Sequence, residues 1–200
     1  LMGYTKNNRI GIFKERIAPI QINYLGYPGT IGADYFDYII ADHIVIPKDK
    51  KKFYSEKIIY MPHSYQPNDD KLKIPELNTS RSDHGLPDKE FVFCCFNQNY
   101  KIGTNEINIW MRILKKIDKS VLWLIEPNKW AKKNIYKQAE LNDVSSTRII
   151  FANNLSHLEH LERHKHADLF LDTFCYNAHT TASDALWSGL PIITKQGNQF

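Results

Sequence analysis

The stretch FVFCCFNQNYKIGTNEINIWMRILKKIDKSVLWLIE, residues 91–126, decides the fold. It opens on FVFCCFN (91–97), where apolar residues follow one another without the alternation of a half-exposed strand. A short run of this kind predicts a strand buried on both faces. From Asn105 to Ile117 the apolar side chains Ile109, Ile113 and Ile117 recur one helical turn apart, which predicts a helix. VLWLIE (121–126) then returns to a continuous apolar run, a second buried strand. Strand, helix and strand in this order form a βαβ unit, and its two strands lie parallel.

Working outward, the same alternation continues to the end of the chain. A helix is expected from Lys129 to Leu141, a strand at RIIFAN (148–153) and a helix from Ser156 to Ala167. A strand follows at DLFLDT (168–173), a helix from Thr181 to Ser188 and a strand at PIIT (191–194). The reading is therefore α/β, with a parallel sheet covered on both faces. Upstream, residues 67–88 are polar, carry prolines and lack apolar periodicity, so they read as a linker or surface excursion. Before them come the apolar stretch Ala18–Leu25, a glycine-rich turn LGYPGTIGAD (25–34), and two short buried strands at Tyr38–Ile40 and Ile58–Tyr60. The expected organisation is a lobe ending near residue 70, a linker over 71–88, and a second lobe over 89–200. The chain runs from Leu1 to Phe200, and we expect a fragment of a longer protein.

Composition excludes several classes. The net charge of +4 is mild and dispersed, and the densest basic run, Lys48–Lys52, reads as a solvated turn. With no basic stripe interleaved with aromatics, a nucleic-acid partner is not expected. No apolar run nears the ~20 residues of a membrane span. Cys94, Cys95 and Cys175 show no ligand spacing, and the first two sit in an apolar run as core thiols. A reducing compartment, the cytoplasm, is expected.

Ligands in a parallel sheet bind where the carboxyl ends of the strands feed their loops. The residues to inspect are then Gln98, Asn99 and Lys101, Glu126, Asn153–Ser156, and Asp172–Thr181. Thr180 and Thr181 fall where an N-cap and first turn belong, and a helix start with its unpaired amides suits a phosphate. Asp184, four residues past Thr180, shares its helix face and can accept hydrogen bonds from a ribose diol. The same spacing also suits a plain capped helix with a carboxylate near its positive end. Lys101 tips the balance: a lysine in the crevice can neutralise a diphosphate, and Gln98 can hydrogen-bond the same group. G-x-G-x-x-G and Walker sequences are absent, which argues against NAD and ATP hydrolysis, and a nucleotide-sugar is favoured. His157, His160, His164 and His166 cluster in SHLEHLERHKHA. His160 and His164 lie one turn apart, but no further ligand is evident, so no metal is expected. His160 reads as a stacking or polar contact, and the other three as surface residues. The glycines at 26, 29 and 32 permit close backbone approach to a ligand, or simply build a turn.

These residues carry a resemblance. APIQINYLGYPGTIGADYFDYIIAD (18–42), YSEKIIYMPHSYQPND (54–69), FNQNYKI (96–102), SVLWL (120–124) and NAHTTASDALWSGLPIIT (177–194) resemble the catalytic region of O-GlcNAc transferase-like proteins. The bacterial homologues fused to tetratricopeptide repeats are the closer likeness. The resemblance implies a GT-B fold, with a Rossmann-like C-terminal lobe and the tail of a second Rossmann-like lobe. It implies transfer of GlcNAc from UDP-GlcNAc to Ser or Thr hydroxyls of proteins, with inversion and without a metal or other cofactor. Related branches use other donors, such as GDP-fucose or UDP-glucose, and a non-catalytic module that kept the pocket is a further alternative. The protein acceptor would be selected by tetratricopeptide repeats outside these residues.

Carried over, Lys101 matches the lysine that stabilises the leaving diphosphate, and Gln98 its neighbour at the phosphates. Thr180 and Thr181 match the pair that holds the phosphates, with His179 beside them. Asp184 matches the ribose-binding aspartate, His160 the histidine against the uracil, Arg163 the arginine near the base, and the Leu155 backbone the base-edge contact. Leu25 and Gly26 match the turn lining the GlcNAc. His157 stands where animal enzymes have a lysine near the ribose. The family's upstream histidines would precede Leu1, and the helices closing the C-terminal lobe would follow Phe200.

Overall fold

The computed structural model describes residue 4 and residues 7–197. It divides into two units, one up to Asp69 and one from Asp70 to Gly197.

The first unit holds three parallel strands, β1 (Ile22–Asn23), β2 (Tyr38–Ala41) and β3 (Lys57–Tyr60), in chain order across the sheet. Ile39, Ala41 and Ile46 form one small core, and Ile10, Ile31 and Phe36 another. β3 departs from the expected buried strand. Among the described residues it pairs only with β2, so it is an edge, and Ile59 stays 38% exposed. Polar side chains hold the loops. Asp42 Oδ1 accepts the Ile44 and Val45 amides, and its Oδ2 the Tyr65 amide. Glu56, buried, accepts the Ile31 amide at 2.6 Å, and Asn23 donates to the Tyr27 and Gly29 carbonyls. These bonds fix the glycine-rich turn. A side chain at position 29 would meet the Tyr27 ring at 2.5 Å, so glycine there allows the ring to lie against the backbone.

The second unit holds β4 (Phe91–Cys95), β5 (Ser120–Ile125), β6 (Ile149–Ala152), β7 (Leu169–Leu171) and β8 (Ile192–Ile193). All pair in parallel, in the order β6-β5-β4-β7-β8. The chain lays β4, β5 and β6 side by side in one direction, then returns to place β7 on the free side of β4. A topological switch point therefore lies between β4 and β7, where doubly wound sheets open a binding crevice. Four helices connect the strands: α1 (Thr104–Lys116), α2 (Lys129–Leu141), α3 (His157–Arg163) and α4 (Thr180–Trp187). Cys94, Cys95, Met111, Trp123 and Phe170 sit in the core, and burial pushes the Cys95 thiol up to about 12.

α1 corrects the sequence reading in its orientation. The stripe facing the core is Ile107, Trp110, Met111 and Leu114, whereas Ile109 and Ile113 are only partly buried and Ile117 is 42% exposed. Both stripes have helical spacing, and the one with Trp110 and Met111 removes more apolar area from water. α4 stops at Gly189, whose φ of +78° suits a glycine, and the Leu190 amide reaches back to the Ala185 carbonyl. The 70–88 stretch forms no strand. It runs along α3 and α4, with Trp187 Nε1 on the Leu72 carbonyl, Lys165 Nζ on the Leu77 carbonyl and Arg81 on Asp168 at 2.8 Å. Among the described residues, no helix is long and apolar enough to cross a membrane.

Candidate functional site

At the switch point, the loop after β4 and the loop after β7 are built around one carboxylate. Asp172, only 4% exposed, ends β7. Its Oδ1 accepts Asn97 Nδ2 at 3.0 Å and the Thr173 and Ala178 amides at 2.8 Å. Its Oδ2 accepts Asn177 Nδ2 at 3.1 Å and the Thr194 hydroxyl at 2.7 Å. Buried Glu106 ties the same loop to α1: one oxygen accepts the Phe174 amide and the other the Gly103 amide. Of the residues that form this frame, Asn97 and Glu106 carried no expectation from sequence, and Asn177 was singled out only as part of the Asp172–Thr181 loop. The one local signal was a glutamate at the third position of α1, where a capping residue belongs.

On this frame stands Lys101, at the end of a 3-10 turn after β4. Its Nζ donates to the Asn177 carbonyl at 3.2 Å and lies over the Tyr176 ring, 4.2 Å from the centroid. Burial pushes the ammonium below the ordinary lysine value, and the Asp172 charge offsets part of that. Gln98, exposed, precedes the turn, and its carbonyl accepts the Lys101 amide.

The mouth of α4 faces the same loop. His179, not Thr180, holds the cap position, and its carbonyl accepts the Ala182 and Ser183 amides. Thr180 and Thr181 are thus the first two residues of the helix. The expected threonine cap is corrected because the backbone turns into the helix one residue earlier. No side chain caps α4, so the first amides stay available to an anion. The His179 ring stacks on Tyr176, with centroids 5.4 Å apart.

One turn further, Asp184 Oδ1 lies 3.4 Å from His157 Nε2, which joins α4 to the start of α3. The expected base contacts follow on α3. Arg163 is 1% exposed, so it touches solvent hardly at all and acts by holding its neighbours: it donates to the Asn153 carbonyl at 2.6 Å and to His160 Nδ1 at 2.5 Å. Its guanidinium lies over the Phe96 and Trp123 rings, and the His160 ring packs edge-on against Phe96. Burial, joined by the Arg163 charge, drives the His160 imidazole down to about 3, so it is neutral. His164 and His166, expected at the surface, are buried. The helix ends at Arg163, and the following turn folds both rings inward, His164 against Phe96 and His166 against Thr79 and His84. Leu155 is exposed in the loop after β6.

Lys101, His179, Thr180, Thr181, Asp184 and His160 thus follow one another along the carboxyl edge of the second sheet, with Arg163 beneath. Grooves of about 340 Å³ and about 630 Å³ flank α1, and neither is lined by Lys101, His179 or Asp184. Leu25 and Gly26 belong to the first unit. There Leu25 holds a φ of +82°, a conformation costly for a bulky side chain.

The profile of glycosyl transferase family 41 matches residues 1–78 and 70–200. The chain belongs to glycosyl transferase family 41. Among relatives, a probable UDP-N-acetylglucosamine--peptide N-acetylglucosaminyltransferase SEC of Arabidopsis thaliana is 42% identical over 199 residues, 97% of this family 41 chain. The UDP-N-acetylglucosamine--peptide N-acetylglucosaminyltransferase of Caenorhabditis elegans is 28% identical and covers 96% of the chain. A mutant O-GlcNAc transferase of Thermobaculum terrenum superposes with a TM-score of 0.80 at 24% identity, over 95% of this chain and 36% of its own. That match agrees with the GT-B class expected from sequence. The family 41 chain spans 20% of the Arabidopsis relative and 26% of the nematode one.

Proposed function

We propose that the protein containing this chain transfers GlcNAc from UDP-GlcNAc to Ser or Thr hydroxyls of polypeptides, with inversion and without a metal ion. The observation that carries this reading is the half-buried Lys101 ammonium beside the uncapped mouth of α4. The names of the relatives support the donor and the peptide acceptor.

The acceptor oxygen attacks the anomeric carbon from the side opposite the leaving group. The bond from that carbon to the diphosphate oxygen breaks, and its electron pair departs with UDP. The hydroxyl proton passes to solvent water as the new bond forms, and UDP departs as its anion. Negative charge growing on the diphosphate is met by Lys101, the α4 amides and the Thr180 and Thr181 hydroxyls, donors already in place. Gln98 and His179 flank the phosphates. Asp184 takes the ribose hydroxyls, the neutral His160 stacks on the uracil, the Leu155 backbone meets its edge, and Arg163 keeps His160 in position. Acceptor choice falls to tetratricopeptide repeats beyond these residues. Cys94 and Cys95, buried and unpaired, and Cys175, exposed and unpaired, suit a reducing cytoplasm.

The complete protein should be offered UDP-GlcNAc, UDP-glucose and GDP-fucose in parallel with a protein acceptor, with and without EDTA. GlcNAc transfer that survives chelation is expected. Fucose or glucose transfer would replace the donor assignment, and UDP binding without any transfer would reduce the protein to a binding module.

A further inference from the structure

We propose that Tyr176 is a positioning residue for Lys101 and acts on the diphosphate only through that lysine. The inference rests on the functional reading above and extends it to a residue with no role so far.

Lys101 carries a long, flexible stem on a short turn, so its own element does not aim the ammonium. Two contacts do. The Asn177 carbonyl accepts one N–H at 3.2 Å, and the Tyr176 ring lies under the charge at 4.2 Å, well within the ~6 Å reach of a cation–π contact. An ammonium has three donors, so donor capacity remains for a phosphate oxygen. The same ring also stacks on His179, the residue that opens α4, with centroids 5.4 Å apart and planes 27° apart. Tyr176 therefore contacts both Lys101 and the residue that opens α4, the two groups assigned to the diphosphate.

The nature of the contact matters. A carboxylate partner would hold the lysine and also cancel its charge. Among the described residues, none forms an ion pair with Lys101. The nearby Asp172 already accepts five hydrogen bonds from Asn97, Thr173, Ala178, Asn177 and Thr194. A ring face orients the ammonium and leaves its full charge for the leaving group.

The test is a double-substitution cycle in the complete protein, read by calorimetric UDP affinity together with kcat and KM for UDP-GlcNAc. Tyr176→Leu should lower UDP affinity and kcat by about tenfold, and Tyr176→Phe, which keeps the ring, should restore both to within about twofold. In a Lys101→Ala background, Tyr176→Leu should change UDP affinity by less than about twofold, because the residue it acts through is gone. An equal loss in both backgrounds, or no loss from Tyr176→Leu, overturns the proposal and leaves the functional reading intact. If Tyr176→Leu does not fold, Tyr176→Met gives the same comparison with an adaptable side chain. Failure of the unsubstituted protein to bind UDP overturns the functional reading and this proposal together.

Discussion

The Asp172 carboxylate accepts the Ala178 amide at 2.8 Å, and this bond ties the end of β7 to the residue beside His179. Four more donors converge on the same two oxygens, from Asn97, Thr173, Asn177 and Thr194. Asp172→Ala strands these donors, those of Asn97 and Thr173 in a buried space, and it should lower stability by about 3 kcal/mol or more. Asp172→Asn keeps one acceptor oxygen and should cost roughly half as much. Denaturant midpoints check both, and UDP affinity should fall in the same order because the loop holding Tyr176 to His179 loses its anchor. Equal midpoints for parent and Asp172→Ala would remove Asp172 as the hub.

Lys101→Ala should lower kcat by about a hundredfold, within the range seen when one preorganised donor to a developing anion is removed. KM for the donor should change far less, since the charge it meets is largest in the transition state. Steady-state kinetics with UDP-GlcNAc decide it. A fall confined to KM would make Lys101 a ground-state binding residue only.

The succession of strands and helices in the second unit was legible because each carries its own period. The sheet order was not, since the return of β7 to the side of β4 is a tertiary event. Lys101 and Thr181 were singled out by the rule that ligands sit at carboxyl ends of strands, and Asp184 by its helical spacing from Thr180. Asp172 was visible only as a loop residue, because its partner Asn97 lies 75 positions away. α1 misled because Ile109, Ile113 and Ile117 make as regular a stripe as Ile107, Trp110, Met111 and Leu114, and only side-chain volume separates them. His164 and His166 misled because polar rings in a helical run read as surface, while the end of α3 turns them inward.

Asp184 is expected to bind the ribose hydroxyls, with His157 Nε2 3.4 Å from its Oδ1. Asp184→Ala should weaken UDP by about tenfold, the worth of a charge-assisted hydrogen bond of about 1.4 kcal/mol. The sharper check is 2′,3′-dideoxy-UDP. It should bind the parent more weakly than UDP does and should bind Asp184→Ala equally well. A preference for UDP that persists in the variant would place the ribose elsewhere.

Acid should destabilise the second unit through His160 and His164. Burial pushes both imidazoles down, His160 to about 3, with the Arg163 charge adding to the effect in each; the bond from His164 Nδ1 to the His160 carbonyl opposes it in part. In the unfolded chain the value is about 6.5. Between those values the unfolded state binds more protons, so stability rises with pH. The contribution is complete above about 6.5 and is lost progressively as pH falls below it, down to about 3 for His160, at up to about 1.4 kcal/mol per pH unit for each ring. Denaturant midpoints at about pH 7.5 and about pH 5 read this effect together with that of His84 and His166, which burial also pushes down, while ordinary carboxylates stay ionised across that interval. The midpoint should drop at the lower pH, and His164→Gln should flatten the dependence even if it lowers stability throughout. A midpoint unchanged between the two pH values would mean that these rings accept protons in the folded protein as readily as in the unfolded chain.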